Sequence, residues 1–286
     1  MRCGIPYNRL ERTNMNPRKI KLHRHPTPHQ QARANLLFVH GGYVDSSCWQ
    51  HHFIPFFQRQ GYDCFAVDLA GHGASEGRAH IDDFGIDDYA ADVAHVMEQI
   101  DGPTIVIGHS MGTMVLERYL DGGDAVAAAF LSPVPPTGTL PSAISLTTRF
   151  PGFLQAIERV LNGQRSDDIE EVLTRAYFAK DMSVGEARRF MEFVVPESQK
   201  AIAEMATALM QRPKLRRKLP VVVMGGEEDA VFSSSMLYFS AVPWRGEVRR
   251  LPNLGHVLML DTQWQSAANC LLEWMEKLEI NSSCSV

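Results

Sequence analysis

One stretch of the chain constrains its fold more than any other: residues 104 to 112, which read Thr-Ile-Val-Ile-Gly-His-Ser-Met-Gly. The β-branched run before Gly108 is typical of a buried strand, and apolar residues recur at helical spacing after Gly112. The pattern therefore predicts a strand, a sharp turn and a helix, with Ser110 at the apex of the turn. This Gly-x-Ser-x-Gly arrangement is the signature of a nucleophile elbow.

The glycines at 108 and 112 have a steric reason. An abrupt turn leaves no room for side chains two positions before and two positions after the apex residue. The apex residue itself is forced into a strained backbone conformation that exposes its side chain. Ser110 then lies at the N-terminus of a helix, where free N–H groups and the helix dipole favour a developing negative charge. A glycine-rich turn with an incidental serine is the alternative interpretation.

The composition limits the class of protein. Hydrophobic residues make up 45% and charged residues 21% of the 286 positions, which is ordinary for a globular chain with one large α/β domain. The net charge of −5 argues against nucleic acid as a partner, because phosphate recognition requires a basic surface. No stretch approaches the roughly 18 continuous apolar residues of a membrane span, and no apolar signal segment opens the chain.

The five cysteines are scattered and form no Cys-x-x-Cys pair, so the sequence indicates neither a zinc site nor a disulfide framework. Cys48 and Cys64 fit small core residues. Free thiols are typical of a reducing compartment, and we therefore expect a cytoplasmic protein. We expect no metal ion and no cofactor. The sequence leaves the oligomeric state open.

Apolar runs that predict strands alternate with amphipathic segments that predict helices. The predicted strands cover about residues 19–25, 36–39, 64–69, 104–107, 125–131, 221–224 and 248–251. The helices predicted between these strands and after the last one cover residues 46–59, 86–100, 113–120 and 263–278. Such alternation predicts an α/β fold with a mainly parallel sheet and helices on both faces. In such sheets functional groups collect at the carboxyl ends of the strands.

The strand pattern stops between Pro133 and Pro220. Segments at 153–161, 167–178, 184–194 and 201–211 read as helices, and a structureless loop of that length is implausible. We therefore predict a helical cap over residues 133–219, inserted after the strand that follows the elbow helix. The α/β core is predicted to comprise residues 19–132 and 220–280, with tails at 1–18 and 281–286. The Met and Phe residues of the cap fit an acyl pocket or a plain helix core equally well.

Candidate catalytic residues follow three of the predicted strands: Ser110, Asp229 and His256. A serine hydroxyl is a weak nucleophile that needs a base, and a histidine with its pKa near 6.5 suits that role. A carboxylate holds the histidine in the required tautomer. The order Ser, Asp, His along the chain is the order of elbow-bearing hydrolases. Glu227 and Glu228 compete for the role of the acid, but a short side chain placed just after the Gly-Gly turn favours Asp229.

The anion that forms during acyl transfer requires two preorganised N–H donors. One is the N–H of Met111, the residue after the nucleophile. The other is expected from residues 40–43, His-Gly-Gly-Tyr, which we call the oxyanion turn. Gly42 is the first candidate and Tyr43 the second, because a glycine lets the backbone approach the substrate. Tyr43 and His109 are also candidate substrate contacts, and His109 alternatively orients its own loop.

With these motifs the chain resembles the α/β-hydrolase fold superfamily, in its serine-nucleophile branch of esterases, lipases and thioesterases. The matching segments are residues 40–42, 68–75, 108–112, 226–229 and 255–256. The Gly-His-Ser-Met-Gly form is similar to that of monoacylglycerol lipases and lysophospholipases. The short region before Leu36 departs from the family pattern and implies a reduced first hairpin. Serine at the elbow, where haloalkane dehalogenases and epoxide hydrolases have aspartate, argues against those reactions.

The resemblance implies a hydrolase that cleaves a carboxylic ester or thioester of a small or acyl-chain substrate through an acyl-Ser110 intermediate. Two other classes stay open. A non-hydrolytic enzyme on the same fold, such as a hydroxynitrile lyase, an acyltransferase or a cofactor-free oxygenase, can keep a similar Ser-His-Asp set. A ligand-binding or signalling protein can also keep the fold and the triad, because fold alone does not establish function.

Overall fold

The computed structural model describes residues 18–208 and 218–278. These residues form a seven-stranded sheet in the order β1-β3-β2-β4-β5-β6-β7. The strands are β1 (Leu22–His25), β2 (Asn35–Val39), β3 (Asp63–Val67), β4 (Thr104–His109), β5 (Ala127–Leu131), β6 (Val221–Gly226) and β7 (Glu247–Leu251). Neighbouring strands are parallel except β1 and β3, which pair antiparallel at one edge. The predicted mainly parallel sheet is confirmed.

From β2 onward, one or more helices follow each strand along the described residues. They are α1 (Ser47–Gln50), α2 (Phe53–Arg59), α3 (Ile86–Met97), α4 (Met111–Tyr119), α5 (Leu140–Arg149), α6 (Phe153–Leu161), α7 (Asp167–Tyr177), α8 (Val184–Arg188), α9 (Gln199–Ala206), α10 (Met236–Ala241) and α11 (Trp264–Glu276). None of the helices in this part of the chain is long and apolar enough to cross a membrane.

The core lies on both faces of the sheet, because successive side chains of a strand point to opposite sides. In the fully buried β2, Leu36 and Phe38 join a cluster that includes residues of α1, α2 and α11. Leu37 and Val39 join a second cluster with residues of α3, α4 and α10. Burial on both faces explains why the central strands are apolar without alternation.

The chain between β5 and β6 forms α5 to α9, and we call residues 133–208 the helical insertion. Helix α6 occupies the predicted residues 153–161, whereas α5 was not predicted. The predicted helix at 184–194 ends at Arg188 and is followed by a 3₁₀ turn at Met191–Phe193. Helix α9 begins at Gln199, earlier than predicted, because the Ser198 hydroxyl caps it by accepting the N–H of Ala201. The division into core and cap domains stays a prediction.

The structure differs from two further expectations drawn from the sequence. The single helix predicted at 46–59 is two helices, α1 and α2. Pro55 explains the break, because its ring has no N–H and clashes with the carbonyl four residues earlier in a continuous helix. The described residues before β2 contain one strand, β1, so a single edge strand stands where the reduced hairpin was expected. Except for Arg18, which contacts Asp92, the predicted tails lie outside the described residues, as does the end of the predicted helix at 201–211.

Candidate active site

The elbow joins β4 to α4 at Ser110, whose backbone is strained, with φ 49° and ψ −117°. A Cβ added at Gly108 would lie 2.7 Å from the carbonyl oxygen of Gly112. A Cβ added at Gly112 would lie 2.5 Å from the carbonyl oxygens of Val39 and His40. Both contacts are with backbone, so these positions admit only glycine. The turn thereby brings the start of α4 directly against the end of β2.

The structure brings the three predicted catalytic residues together. Nε2 of His256 lies 3.1 Å from Oγ of Ser110, and Nδ1 lies 2.9 Å from Oδ2 of Asp229. The other oxygen of Asp229 accepts the N–H groups of Val231 and Phe232, each at 2.8 Å. Because a carboxylate only accepts, Nδ1 of His256 carries a proton and Nε2 is free to accept one from the serine hydroxyl.

The three acidic side chains that follow β6 have different surroundings and different partners. The side chains of His256 and Asp229 are 4% and 2% exposed, so their contact is shielded from water. Glu227 is exposed and pairs with Arg250 on β7. Glu228 accepts the N–H of Lys180 in the helical insertion. Only Asp229 of the three reaches the histidine, which is the placement the sequence favoured.

The loop that carries His256 is held from three sides. The carbonyl of His256 accepts Nε2–H of His109 at 3.0 Å and the hydroxyl of Ser132 at 2.9 Å. Its N–H donates to the carbonyl of Tyr177, at the end of α7. The buried carboxylate of Asp261 accepts the preceding N–H, that of Gly255. The histidine therefore depends on β4, β5 and the helical insertion for its position.

His109, a candidate substrate contact, is buried beneath the site. Its Nε2 is engaged by the carbonyl of His256, and its Nδ1 has no hydrogen-bond partner among the described residues. Burial lowers the pKa of His109 to about 3, and the neighbouring His256 adds to the shift. A neutral, buried ring that donates to a backbone carbonyl fits the alternative role of orienting a loop better than contact with substrate.

The oxyanion turn lies against the elbow, since a Cβ added at Gly41 would be 3.2 Å from Cβ of Ser110. Within residues 18–208 and 218–278, the N–H groups of Met111 and Gly42 donate no hydrogen bond. Tyr43 differs, because its N–H donates to the carboxylate of Glu197 at 3.3 Å. The pair of free donors is therefore Met111 and Gly42, and the second candidate, Tyr43, is already engaged.

His40 begins the oxyanion turn as a buried, neutral ring. Its Nδ1–H donates to the carbonyl of Gly41 at 2.8 Å, and its Nε2 accepts the N–H of Leu69 at 3.1 Å. Burial lowers the pKa of His40 to about 4, and the adjacent His72 lowers it further. Because one ring nitrogen donates and the other accepts, the neutral tautomer satisfies both partners.

Several residues that hold the site carried no recognised signal in the sequence. These are Ser132, Tyr177, Glu197 and Asp261. Each acts on a backbone group far away in sequence, which for Asp261 is the N–H of Ala179, so no local spacing could identify it. A signal available in the sequence was Ser198, a helix-capping residue directly after a glutamate, but capping alone does not show that the glutamate is buried.

Tyr177 places a phenol ring near the triad, and Tyr43 adds a second phenol in the oxyanion turn. The ring of Tyr177 lies 6.1 Å from that of His256, between ring centroids. Burial raises the pKa of Tyr43 to about 12, and burial also raises the pKa of Tyr177. Both hydroxyls are therefore neutral and able to donate hydrogen bonds at neutral pH. Tyr43 stays a candidate substrate contact.

Comparison with known proteins places these residues in a family. The model of the alpha/beta hydrolase family matches residues 36–268, which include all three triad residues. A pyrethroid hydrolase from Sphingobium wenxiniae is 28% identical over 78 residues. That match covers 27% of this chain and 27% of the pyrethroid hydrolase, so it spans about a quarter of the relative's length.

Solved structures share the fold over nearly the whole chain. A bromoperoxidase from Bacillus anthracis has a TM-score of 0.69 at 17% identity, covering 92% of this chain and 98% of that one. An esterase from Thermogutta terrifontis has a TM-score of 0.67 at 17% identity, covering 93% and 96%. At this identity the likeness establishes the architecture, while the chemistry depends on the site.

Proposed function

The chain belongs to the alpha/beta hydrolase family, and from that membership we propose that it is a serine hydrolase of carboxylic esters or thioesters. The observation that carries the proposal is the chain of contacts from Ser110 through His256 to Asp229, at 3.1 and 2.9 Å. A hydroxyl on an imidazole that is backed by a carboxylate is the arrangement that activates a serine nucleophile.

In the first half of the reaction, Oγ of Ser110 attacks the carbonyl carbon while Nε2 of His256 takes the hydroxyl proton. The carbonyl oxygen becomes an anion, and the N–H groups of Met111 and Gly42 donate to it. Collapse of this tetrahedral intermediate breaks the bond to the alcohol or thiol. The leaving group takes the proton from His256, and the acyl group remains on Ser110.

The second half repeats these steps with water as the nucleophile. His256 removes a proton from the water, and the hydroxide attacks the acyl carbon. The intermediate collapses to a carboxylic acid and returns the proton to Oγ of Ser110. Asp229 stays ionised throughout, because it holds Nδ1–H and stabilises the imidazolium that forms twice per cycle.

The elbow residue supports an acyl enzyme. A serine hydroxyl transfers an acyl group and is regenerated by hydrolysis, whereas an aspartate at this place attacks alkyl carbon and gives an alkyl ester. The neutral hydroxyls of Tyr43 and Tyr177 can donate to polar groups of the substrate. A small or acyl-chain ester or thioester fits this combination.

The test compares native protein with Ser110→Ala and with Ser132→Ala, a serine whose hydroxyl bonds the His256 carbonyl instead of the histidine ring. Hydrolysis of p-nitrophenyl esters from acetate to decanoate is measured together with labelling by a fluorophosphonate probe. We expect Ser110→Ala to lose labelling and about 10⁵-fold or more in kcat. Ser132→Ala should keep the label. Equal turnover by native protein and Ser110→Ala would overturn the proposal.

A further inference from the structure

Beneath the oxyanion turn lies a buried carboxylate that the reaction scheme does not use. Glu197 comes from the helical insertion, two residues before α9, and its side chain is 0% exposed. Fully buried carboxylates are rare unless they are paired and hydrogen-bonded. The contacts of Glu197 therefore call for an explanation.

Both oxygens of Glu197 are saturated with donors. Oε2 accepts the N–H of Tyr43 at 3.3 Å and meets Nε2 of His72 at 3.1 Å. Oε1 accepts the hydroxyl of Tyr89 at 3.0 Å and the N–H of Ser198 at 2.7 Å. Four donors converge on one carboxylate, and they come from the oxyanion turn, from the loop after β3, from α3 and from the helical insertion.

His72 provides the compensating charge. Its Nδ1 faces the carbonyl of Ala70 at 3.1 Å, which can only accept, and its Nε2 faces Glu197. A ring that donates from both nitrogens is an imidazolium, so His72 and Glu197 form a buried ion pair. Burial alone would raise the pKa of Glu197, but the hydrogen bond and charge of His72 outweigh it and the pKa lies below its usual value.

Both backbone polar groups of Tyr43 are hydrogen-bonded to one segment, residues 195–197. While the N–H of Tyr43 donates to Glu197, the carbonyl of Tyr43 accepts the N–H of Val195 at 2.8 Å. Tyr43 has a φ of 63°, a left-handed conformation that a non-glycine residue keeps only when its surroundings impose it. Residues 195–197 supply those surroundings.

We propose that Glu197 is a positioning residue for the oxyanion turn: by holding the N–H of Tyr43 it fixes the adjacent N–H of Gly42 as the second donor to the reacting oxygen. This inference rests on the proposed hydrolase function for its kinetic consequence. The helical insertion then covers the site and also completes it. The buried imidazolium of His72 keeps the carboxylate from opposing the negative charge of the intermediate.

Glu197→Gln tests the proposal because a carboxamide cannot accept four donors. Whichever way the amide is turned, its NH₂ group faces a backbone N–H, that of Tyr43 or that of Ser198. The matched control is Glu170→Gln, which removes a 2%-exposed carboxylate of the same insertion that pairs with Arg188, away from the oxyanion turn. Glu197→Asp keeps the charge and is the conservative variant.

For p-nitrophenyl acetate we expect Glu197→Gln to lower kcat by about 10- to 100-fold with KM changed less than about threefold, because the donor acts on the transition state. Glu197→Asp should recover part of that loss. Glu170→Gln should keep kcat within about threefold of native. An unchanged kcat in Glu197→Gln, or an equal loss in both glutamine variants, would overturn the positioning role.

A second readout is independent of turnover. Amide hydrogen exchange in the peptide that contains the oxyanion turn should be about tenfold faster or more in Glu197→Gln, and unchanged in Glu170→Gln. Equal exchange rates would contradict the proposal even if the hydrolase assignment failed. Native protein without Ser110-dependent turnover would instead contradict the proposed function alone.

If Glu197→Gln does not fold, Tyr89→Phe decides the matter, because it removes one donor to Glu197 without touching the turn. A two- to fivefold fall in kcat at constant KM is the expected result, because Glu197 loses one of its four donors while the N–H of Tyr43 keeps its acceptor. Unchanged kcat and unchanged exchange at the turn would overturn the proposal.

Discussion

The elbow and the oxyanion turn lie side by side and are both strained, yet they are held in different ways. Ser110 and Tyr43 are non-glycine residues with φ values of 49° and 63°. The elbow is fixed by its own glycines and by the strand and helix that it joins. The oxyanion turn is fixed by Glu197 and Val195, about 150 residues further along the chain. Adjacent parts of one site can thus depend on local and on distant sequence.

The largest effect is expected at the elbow itself. In Gly112→Ala the new Cβ would lie 2.5 Å from two backbone carbonyl oxygens, so β2 and α4 must separate. We expect a loss of more than about 3 kcal/mol in the free energy of unfolding, measured by urea denaturation, and little soluble protein. Gly185→Ala is the matched control, because nothing lies within 4 Å of its added Cβ. Equal stability of the two variants would show that the elbow is not sterically locked.

The next effect concerns His256, the histidine that contacts the hydroxyl of Ser110 at the elbow. In Asp229→Asn the amide can donate to Nδ1 of His256, which moves the ring proton to Nε2 and removes the acceptor for the Ser110 hydroxyl. We expect kcat for p-nitrophenyl esters to fall about 10⁴-fold. The melting temperature should change little, because the amide oxygen still accepts the N–H groups of Val231 and Phe232.

Glu228→Gln provides the comparison for that loss, since Glu228 is the neighbouring acid and bonds Lys180 instead. Its kcat should stay within about threefold of native. A larger loss in Glu228→Gln than in Asp229→Asn would move the role of the acid to the neighbouring position.

The difference between features held by local contacts and features held by distant contacts explains how much of the fold and the site the sequence could predict. The sheet, the elbow and the placement of Asp229 and His256 follow from apolar runs and from turn residues just after strands, which are local signals. Glu197 and Asp261 could not be identified, because each accepts a backbone N–H brought near by tertiary packing, that of Tyr43 and that of Ala179. The residue types around Glu197 in the sequence do not distinguish a buried carboxylate from a solvated one. The break between α1 and α2 was missed although Pro55 carried a local signal.

A buried neutral histidine begins the oxyanion turn and another directly precedes Ser110, and this predicts a dependence of stability on pH. Burial lowers the pKa of His40 to about 4 and that of His109 to about 3, against 6.5 when unfolded. As the pH falls below 6.5, the unfolded chain binds protons that the folded chain does not. The stability that each neutral ring contributes is therefore present above pH 6.5, and it is lost between 6.5 and about 4 for His40 and between 6.5 and about 3 for His109.

From pH 8 to pH 5, each of these histidines should remove about 2 kcal/mol from the free energy of unfolding. Asp92, whose pKa burial raises to about 6, acts in the opposite direction by about 1 kcal/mol. Urea denaturation at both pH values, on native protein and on His40→Gln, isolates the contribution of the oxyanion turn. The variant should lose about 2 kcal/mol less than native over this range. Parallel pH profiles would show that His40 is not buried as a neutral ring.

The smallest effect separates the two glycines of the oxyanion turn. A Cβ added at Gly41 would lie 2.8 Å from Nδ1 of the buried His109, which cannot move without shifting the His256 loop. A Cβ added at Gly42 would meet Oε2 of Glu197 at 3.4 Å, an ordinary contact. We expect kcat for p-nitrophenyl acetate to fall about 10- to 50-fold in Gly41→Ala, which is about 1.4 to 2.3 kcal/mol in the barrier.

Gly42→Ala should stay within about threefold of native, because the residue keeps its N–H and the added Cβ makes only an ordinary contact with Glu197. A larger loss in Gly42→Ala than in Gly41→Ala would mean that the substrate approaches the backbone at Gly42 too closely to leave room for a Cβ. The reason for a glycine at position 42 would then be the substrate, as the sequence suggested. The expected result, a larger loss in Gly41→Ala than in Gly42→Ala, instead assigns the steric constraint to Gly41, where the oxyanion turn packs on the elbow.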